Sequence, residues 1–216
     1  MRRDARRQRG LTIIELVIFI VIVGIAAAAL VQVLNLASRN SVDPVRRKQA
    51  MLIAEAYMEE VMQAQFTACD PGDSNAANAT VKADCANVPE DFGPETGNLN
   101  RPFDNINDYI PNPNQVGTPY RAFQATIGGN AVDVDVAGNP LGASAVGGTL
   151  GKSGLEGIVT TLTLDPVATL GNLSSSYANN NYDNVRILHI TITTTYAPGQ
   201  SIVLESYRTR YAPGAR

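Results

Sequence analysis

The chain of 216 residues is long enough for one ordinary domain with an appendage, and its hydrophobic fraction of 44% is enough to build a core. Its formal charge of −3 conceals an asymmetry, because residues 1–10 hold five Arg and one Asp. The remainder carries 12 Lys and Arg against 19 Asp and Glu, a formal charge of −7, which is unfavourable for binding nucleic acid. The basic leader also lacks the interleaved aromatic residues of a nucleic-acid-binding segment, so we expect no nucleic-acid partner.

The most apolar part of the chain follows this leader. Between Gly10 and Val31 the only charged residue is Glu15. Residues 11–34 in a helix would rise about 36 Å, more than the roughly 30 Å hydrocarbon core of a bilayer. Basic residues before a first span keep that end in the cytoplasm. The sequence therefore predicts a cytoplasmic leader (1–10), a helix in the inner membrane (11–40) and a head in the periplasm.

A secretory signal peptide is an alternative explanation for a basic leader followed by an apolar run. Such peptides have an apolar region of about 7–15 residues and then a small-residue cleavage site. The segment AAAAL at 26–30 resembles such a site. The apolar run is too long for this class, however, and Glu15 lies where a secretory core is purely apolar.

The residues RGLTIIE at positions 9–15 resemble the type IV prepilin cleavage motif. The resemblance implies that a prepilin peptidase cuts after Gly10, methylates the new amine of Leu11 and leaves the apolar helix attached. It also implies an assembly role for Glu15, whose carboxylate would pair with the Leu11 amine of a neighbouring subunit. A buried carboxylate in lipid is costly without such a partner. In an unassembled subunit Glu15 can instead reach the cytoplasmic interface.

A second helix is predicted over residues 41–68. Asp43 is a candidate N-cap and Pro44 suits a first helical position, so we expect a break or kink at 42–44. Apolar residues then recur at helical spacing on one stripe: Ala50, Ile53, Ala54, Tyr57, Val61 and Ala64. This pattern predicts an amphipathic helix that packs on an apolar surface. Gln32 stands where major pilins usually carry a proline.

The chain contains two cysteines, Cys69 and Cys85, in a loop-like segment. Outside the cytoplasm such a pair is expected to form a disulfide, which would stabilise the head by about 3 kcal/mol. Asp70, Asp73 and Asn75 suggest a calcium loop, but ordinary turn chemistry explains the same residues. The single histidine, His189, lies in a strand-like run. We therefore expect no metal site and no cofactor.

The rest of the head, 69–216, reads as strands and loops. The runs 120–127 and 131–137 alternate around a Gly-Gly-Asn turn and predict a hairpin. Three further strands are predicted at 157–164, 185–197 and 201–212, with Thr191, Thr193 and Thr195 on the solvent face. The glycine-rich stretch 138–157 is expected to be a loop without nucleotide, since Val146 occupies a position where a phosphate loop needs glycine. These elements predict an α+β fold of pilin type, in which the long helix packs on an antiparallel sheet.

Catalytic patterns are weak. One histidine and no GxSxG motif leave little for nucleophilic catalysis, and the carboxylate pairs Glu59–Glu60 and Asp133–Asp135 are expected to be solvated. We therefore predict that the protein is not an enzyme.

Three functional hypotheses remain. Patches at 41–61, 69–71, 103–109 and 205–214 resemble minor pilins of the mannose-sensitive haemagglutinin (MSHA) pilus, which implies a role in pilus assembly or priming for surface attachment. The second hypothesis is a minor pseudopilin of a type II secretion system. The third is a membrane-anchored periplasmic enzyme or binding domain, although an anchor needs no acid. The first two imply a prepilin peptidase, other pilins or pseudopilins and the inner membrane as partners.

Overall fold

The computed structural model describes residues 12–95, 100–142, 155, 157–178 and 181–210, without the side chains of 35–43. The chain forms two compact units, Met1–Val45 and Arg46–Arg216. The predicted cleavage and methylation residues, Gly10 and Leu11, lie outside the described residues, as do most of the glycine-rich stretch and the last two residues of the predicted 201–212 strand.

One helix, α1 (Ile13–Gln63), replaces the two helices that the sequence predicts. The expected helix start at Pro44 is wrong: Pro44 lies inside α1, so Asp43 is not an N-cap. Proline removes one N–H and crowds the preceding turn, at a cost of about 3 kcal/mol in a helix interior. The helical hydrogen bonds on either side of that defect do not depend on the missing N–H, so both flanks remain helical.

In the described part of the chain nine strands follow α1, and three short 3-10 helices precede them at Lys82–Asp84, Ile106–Tyr109 and Pro113–Gln115. The strands are β1 (Gln124–Ile127), β2 (Asn130–Asp133), β3 (Val159–Pro166), β4 (Thr169–Leu170), β5 (Leu173–Ser174), β6 (Ser176–Ala178), β7 (Asn181–Asn184), β8 (Ile187–Ala197) and β9 (Gln200–Thr209).

The principal sheet of the Arg46–Arg216 unit is antiparallel, with β8 in the centre between β3 and β9. Leu162 pairs with Ile192, which pairs in turn with Leu204. Residues of β8 alternate between the two faces, as the period of two in a strand requires. Thr191 and Thr193 are half-buried and Thr195 is exposed, which confirms the solvent face of this strand.

The C-terminal part of α1 covers the other face of this sheet. Ala54, Tyr57 and Val61 are buried in one cluster with apolar side chains of β3 and β8. The predicted stripe is therefore the buried face of the helix. Together with the antiparallel sheet, this packing confirms the predicted α+β class.

The predicted hairpin is present but shorter than the alternating runs. β1 and β2 pair around Gly128 and Gly129, whose φ angles are 58° and 82°. Two consecutive positive φ values are typical of a type I′ turn, which glycine adopts without strain. Before β1, Tyr120 instead forms an isolated bridge with Leu162 of β3, so the chain there belongs to the edge of the principal sheet.

Candidate functional site in the N-terminal helix

The start of α1 is organised by the side chain of Thr12. Its Oγ1 accepts a hydrogen bond from the backbone N–H of Glu15 at 3.3 Å, and its carbonyl accepts one from Leu16 at 3.2 Å. Thr12 is thus the N-cap and Glu15 is the third helical residue, the spacing of a capping box. A carboxylate in the first turn also interacts favourably with the helix dipole. The spacing Thr-x-x-Glu is the sequence signal of such a cap, but the cap was not among the predictions for Glu15.

Apolar side chains cover the helix beyond this cap. The segment Ile13–Leu34 has 22 residues, a mean hydropathy of 3.0 and no buried residue, so it is long and apolar enough to cross a membrane. Phe19, for example, is 66% exposed. A continuous apolar surface of this kind needs lipid or other helices around it. A methyl group added at Gly24 would have no heavy atom within 4 Å, so this position leaves space for the close approach of another helix.

The disulfide loop of the head is held by one disulfide and by the carboxylate of Asp73. Cys69 and Cys85 form the predicted disulfide, with a Cα–Cα distance of 5.5 Å. Inside the loop, the Asp73 carboxylate accepts hydrogen bonds from the backbone N–H groups of Asn75, Ala86, Asn87 and Val88 at 2.7–3.1 Å. These bonds hold the pKa of Asp73 well below its ordinary range.

The calcium-loop alternative does not match this geometry. Both oxygens of Asp73 are engaged by the backbone, and an oxygen of Asp70 accepts from Gly72 N–H at 2.6 Å. The amide nitrogen of Asn75 donates to the carbonyl of Asp84. Asp70, Asp73 and Asn75 therefore shape turns, as the simpler interpretation had it.

His189 lies on the solvent-facing side of β8. Its ring stacks on Tyr207 of β9 with centroids 4.7 Å apart, and its Nε2 is 3.7 Å from Oε1 of Glu205. His189 is therefore part of a cross-strand stack beside a carboxylate.

Two of the four carboxylates that were expected to be solvated, Glu60 and Asp133, are buried. Glu60 is 9% exposed at its side chain and forms a bidentate ion pair with Arg101, with Nε–Oε1 at 2.8 Å and Nη2–Oε2 at 2.5 Å. The Tyr109 hydroxyl donates to the same carboxylate at 3.0 Å. Arg101 also lies over the rings of Tyr57 and Phe123. The expectation for Glu60 was wrong because the loop carrying Arg101 folds back over this part of α1.

Asp133 is the second exception. It is 5% exposed and accepts hydrogen bonds from Thr160 N–H at 2.6 Å and from Arg121 Nη2 at 2.8 Å. The carboxylate therefore ties the hairpin to the start of β3. Asp135, its neighbour in the predicted pair, accepts from the backbone of Ala137 and Asn139 on the surface.

Three further carboxylates, Glu90, Glu95 and Asp108, form a group that we call the acidic cluster. One oxygen from each lies within 4.8 Å of the other two. Glu90 is fully buried and Asp108 is 2% exposed, and within the described residues no donor meets hydrogen-bond geometry at either carboxylate. The backbone of Asn105 lies close enough to Asp108 to lower its pKa, an effect that burial outweighs.

The environment of the acidic cluster disfavours negative charge. Burial, followed by the charges of Asp108 and Glu95, raises the pKa of Glu90 to about 10. Burial, followed by the charges of Glu95 and Asp104, raises the pKa of Asp108 to about 8. The cluster was not predicted from sequence, because Glu90 and Glu95 lie in an irregular segment and Asp108 in the short 3-10 helix Ile106–Tyr109, where no periodicity indicates which side chains meet.

Comparison with known proteins gives one match, at the N-terminus. The prokaryotic N-terminal methylation motif matches residues 5–31, which include Thr12, Glu15 and most of the exposed apolar helix. No curated protein and no solved structure matches the chain. The matched motif is that of structural subunits which a prepilin peptidase processes and which assemble with other pilins. Residues 5–31 therefore carry the methylation motif found at the N-terminus of type IV pilin-like and pseudopilin-like subunits, and it overlaps a helix long and apolar enough to cross a membrane.

Proposed function

We propose that this chain is a minor type IV pilin-like subunit, similar to MshD, that takes part in assembling or priming an MSHA-type pilus for surface attachment. The observation that carries the proposal is the start of α1, where Glu15 stands at the third helical position in front of an exposed apolar segment. The basic leader and the resemblance at 9–15 support cleavage after Gly10, methylation of Leu11 and a head on the periplasmic side.

Glu15 is the assembly residue in this proposal. Its carboxylate meets the methylated amine of a neighbouring subunit's Leu11 when the helices bundle in the filament core. A low-dielectric environment strengthens the attraction, and loss of either partner leaves a buried charge uncompensated. In the single subunit the same residue serves the helix cap, so its two roles have to be separated by experiment.

A series of three variants separates them. Glutamine also suits the third position of a capping box, so Glu15→Gln keeps the local role and removes only the charge. Thr12→Ala removes the cap, at a cost of about 1 kcal/mol, and keeps the charge. Glu15→Ala removes the whole carboxylate side chain, while the backbone N–H of residue 15 can still donate to Oγ1 of Thr12.

The measurement is the amount of each variant in sheared pili, with wild type expressed in the same cells. We expect Glu15→Gln and Glu15→Ala to accumulate in the inner membrane, processed and with an intact disulfide, while their incorporation falls at least tenfold. Thr12→Ala should be incorporated nearly as well as wild type. Equal incorporation of Glu15→Gln and wild type would refute the pairing. Loss of exoprotein secretion with unchanged surface attachment would assign the subunit to a type II pseudopilus instead.

A further inference from the structure

We propose that the acidic cluster of the head binds one divalent cation, Ca²⁺, through Glu90, Glu95 and Asp108. Three carboxylate oxygens within 4.8 Å of one another are close enough to contact a single ion, since ligands on opposite sides of Ca²⁺ are roughly 4.6–5.2 Å apart. This inference concerns the head alone and does not depend on the pilus in which the subunit works.

Burial supplies the second, independent observation. Among the described residues, no donor meets hydrogen-bond geometry at either buried oxygen of Glu90, at either buried oxygen of Asp108 or at one buried oxygen of Glu95. A buried polar group without a partner is costly, and buried charges are normally paired or bound to a metal. A cation at the centre of the cluster would satisfy these oxygens together.

Arg210 is the cation of the described residues that acts on Glu90, and it does not balance the charge of the cluster. Arg210 interacts electrostatically with Glu90, but its Nη1 donates to the carbonyl of Asp183 at 2.8 Å and its guanidinium lies 5.1 Å from the centre of the Phe66 ring. One guanidinium against three carboxylates leaves a net charge of −2 when all are ionised. A divalent cation neutralises it.

The donor set favours calcium. Carboxylate oxygens are hard ligands, which suit Ca²⁺ and Mg²⁺ better than zinc or copper. Mg²⁺ usually retains several waters and takes one or two carboxylates. Two fully enclosed carboxylates leave little room for that hydration shell, whereas Ca²⁺ accepts six to eight oxygens in irregular geometry, including bidentate carboxylates.

A second carboxylate group shares Glu95 and is the competing location. Asp70, Glu95 and Asp104 also place one oxygen each within 4.8 Å of the others. Asp104 is exposed, and Asp70 already accepts a hydrogen bond from Gly72. Because its donors are more hydrated, this group gains less from an ion than the buried cluster does.

The test uses the full-length protein, solubilised in detergent and stripped with EDTA. Calorimetric titration with CaCl₂ should show one ion per chain, and at a hundredfold excess over Kd the thermal midpoint of the head should rise by about 5–10 °C. MgCl₂ at the same concentration should bind at least tenfold more weakly. Absence of calcium binding to the wild-type chain would overturn the proposal and leave a cluster of protonated acids.

Two ligand variants and matched controls locate the ion. Glu90→Gln and Asp108→Asn should each weaken calcium binding at least tenfold. Asp91→Asn removes a carboxylate next to Glu90 in sequence that points to solvent and pairs with Lys82, so its affinity should stay within twofold of wild type. Asp70→Asn should likewise retain calcium binding. Loss of binding in Asp70→Asn with retention in Glu90→Gln would place the ion in the competing group and overturn the proposal.

Thermal unfolding in EDTA shows whether a ligand variant still folds when no calcium is present. In EDTA, Glu90→Gln should unfold at the same temperature as wild type or at a higher one, because the substitution removes an uncompensated buried carboxylate. A variant that is stable in EDTA and insensitive to calcium has lost a ligand. A variant that is equally sensitive to calcium would show that Glu90 is not a ligand.

Discussion

Replacing Arg101 by methionine tests the contact between α1 and the loop that covers it. Arg101 pairs with Glu60 through two hydrogen bonds, and their side chains are only 10% and 9% exposed. Methionine retains much of the apolar part of the arginine side chain but removes the guanidinium. The Glu60 carboxylate then keeps the hydrogen bond from the Tyr109 hydroxyl. Breaking a buried ion pair from one side typically costs about 3–5 kcal/mol.

The loss of the guanidinium also removes its contacts with two aromatic rings. Arg101 lies 4.9 Å from the centre of Phe123 and 5.4 Å from that of Tyr57. Each cation–π contact is worth about 0.5–2 kcal/mol, although part of this is already counted in the ion pair. We therefore expect a loss of about 4 kcal/mol in the free energy of unfolding. For a head of this size the thermal midpoint should fall by roughly 10 °C.

Urea unfolding of the full-length protein in detergent, followed by tyrosine fluorescence, measures this loss. Arg186→Met is the matched control, since Arg186 is exposed and its replacement should change stability by less than about 0.5 kcal/mol. The double variant Glu60→Gln/Arg101→Met should be less destabilised than the sum of the single variants, because it leaves no uncompensated charge. A loss below about 1 kcal/mol in Arg101→Met would refute the reasoning.

Three further predictions concern processing, the disulfide and acid sensitivity. Mass spectrometry of the mature protein should find a methylated N-terminus at Leu11, and Gly10→Val should leave an uncleaved precursor; an N-terminus near Ala29 would contradict this. Replacing Cys69 and Cys85 together by serine should lower the free energy of unfolding by about 3 kcal/mol, with no free thiol detectable in the wild-type protein from the periplasm. The pKa of Asp73 is lowered in the folded state, so its contribution is complete above its unfolded pKa of 3.8 and is lost as the pH falls below that value. The difference in thermal midpoint between wild type and Asp73→Asn should therefore be largest at pH 5–7 and shrink towards pH 3.

Periodicity explains which parts of the fold were predictable. The stripe on α1 and the alternation in β8 depend on regular spacing, and both are buried as predicted. The short strands β4 to β7 were missed because two to four residues are too few to show alternation. Pro44 led to a predicted helix boundary that is absent, because proline is common at helix starts and a long helix can also contain it.

The candidate sites also divide into those marked by a local sequence motif and those formed only by tertiary contacts. Thr12 and Glu15 are three residues apart, so a local motif carries the cap and was available from sequence. Glu60 and Arg101 are 41 residues apart, and their pairing depends on how an irregular loop returns to the helix. The acidic cluster likewise joins an irregular segment, which carries Glu90 and Glu95, to the 3-10 helix that carries Asp108. Contacts of this kind are fixed by tertiary structure, for which a single sequence contains no periodic signal.

The carboxylates of this chain differ in what compensates their charge. Arg101 compensates Glu60, four backbone N–H groups compensate Asp73, and Arg121 with Thr160 N–H compensates Asp133. These acids have their partners within the same chain, which gives them structural roles.

Glu15 and the acidic cluster differ from these acids. Glu15 lies on an apolar helix surface suited to lipid, and Glu90 is buried without a protein donor. An uncompensated carboxylate is costly in both environments, and we propose that a positive charge from outside the chain compensates each of them in the assembled or metal-bound protein. The geometry suits a different source in each place. An amine can approach Glu15 from a second subunit along the exposed helix, whereas three carboxylate oxygens within 4.8 Å of one another suit a small cation.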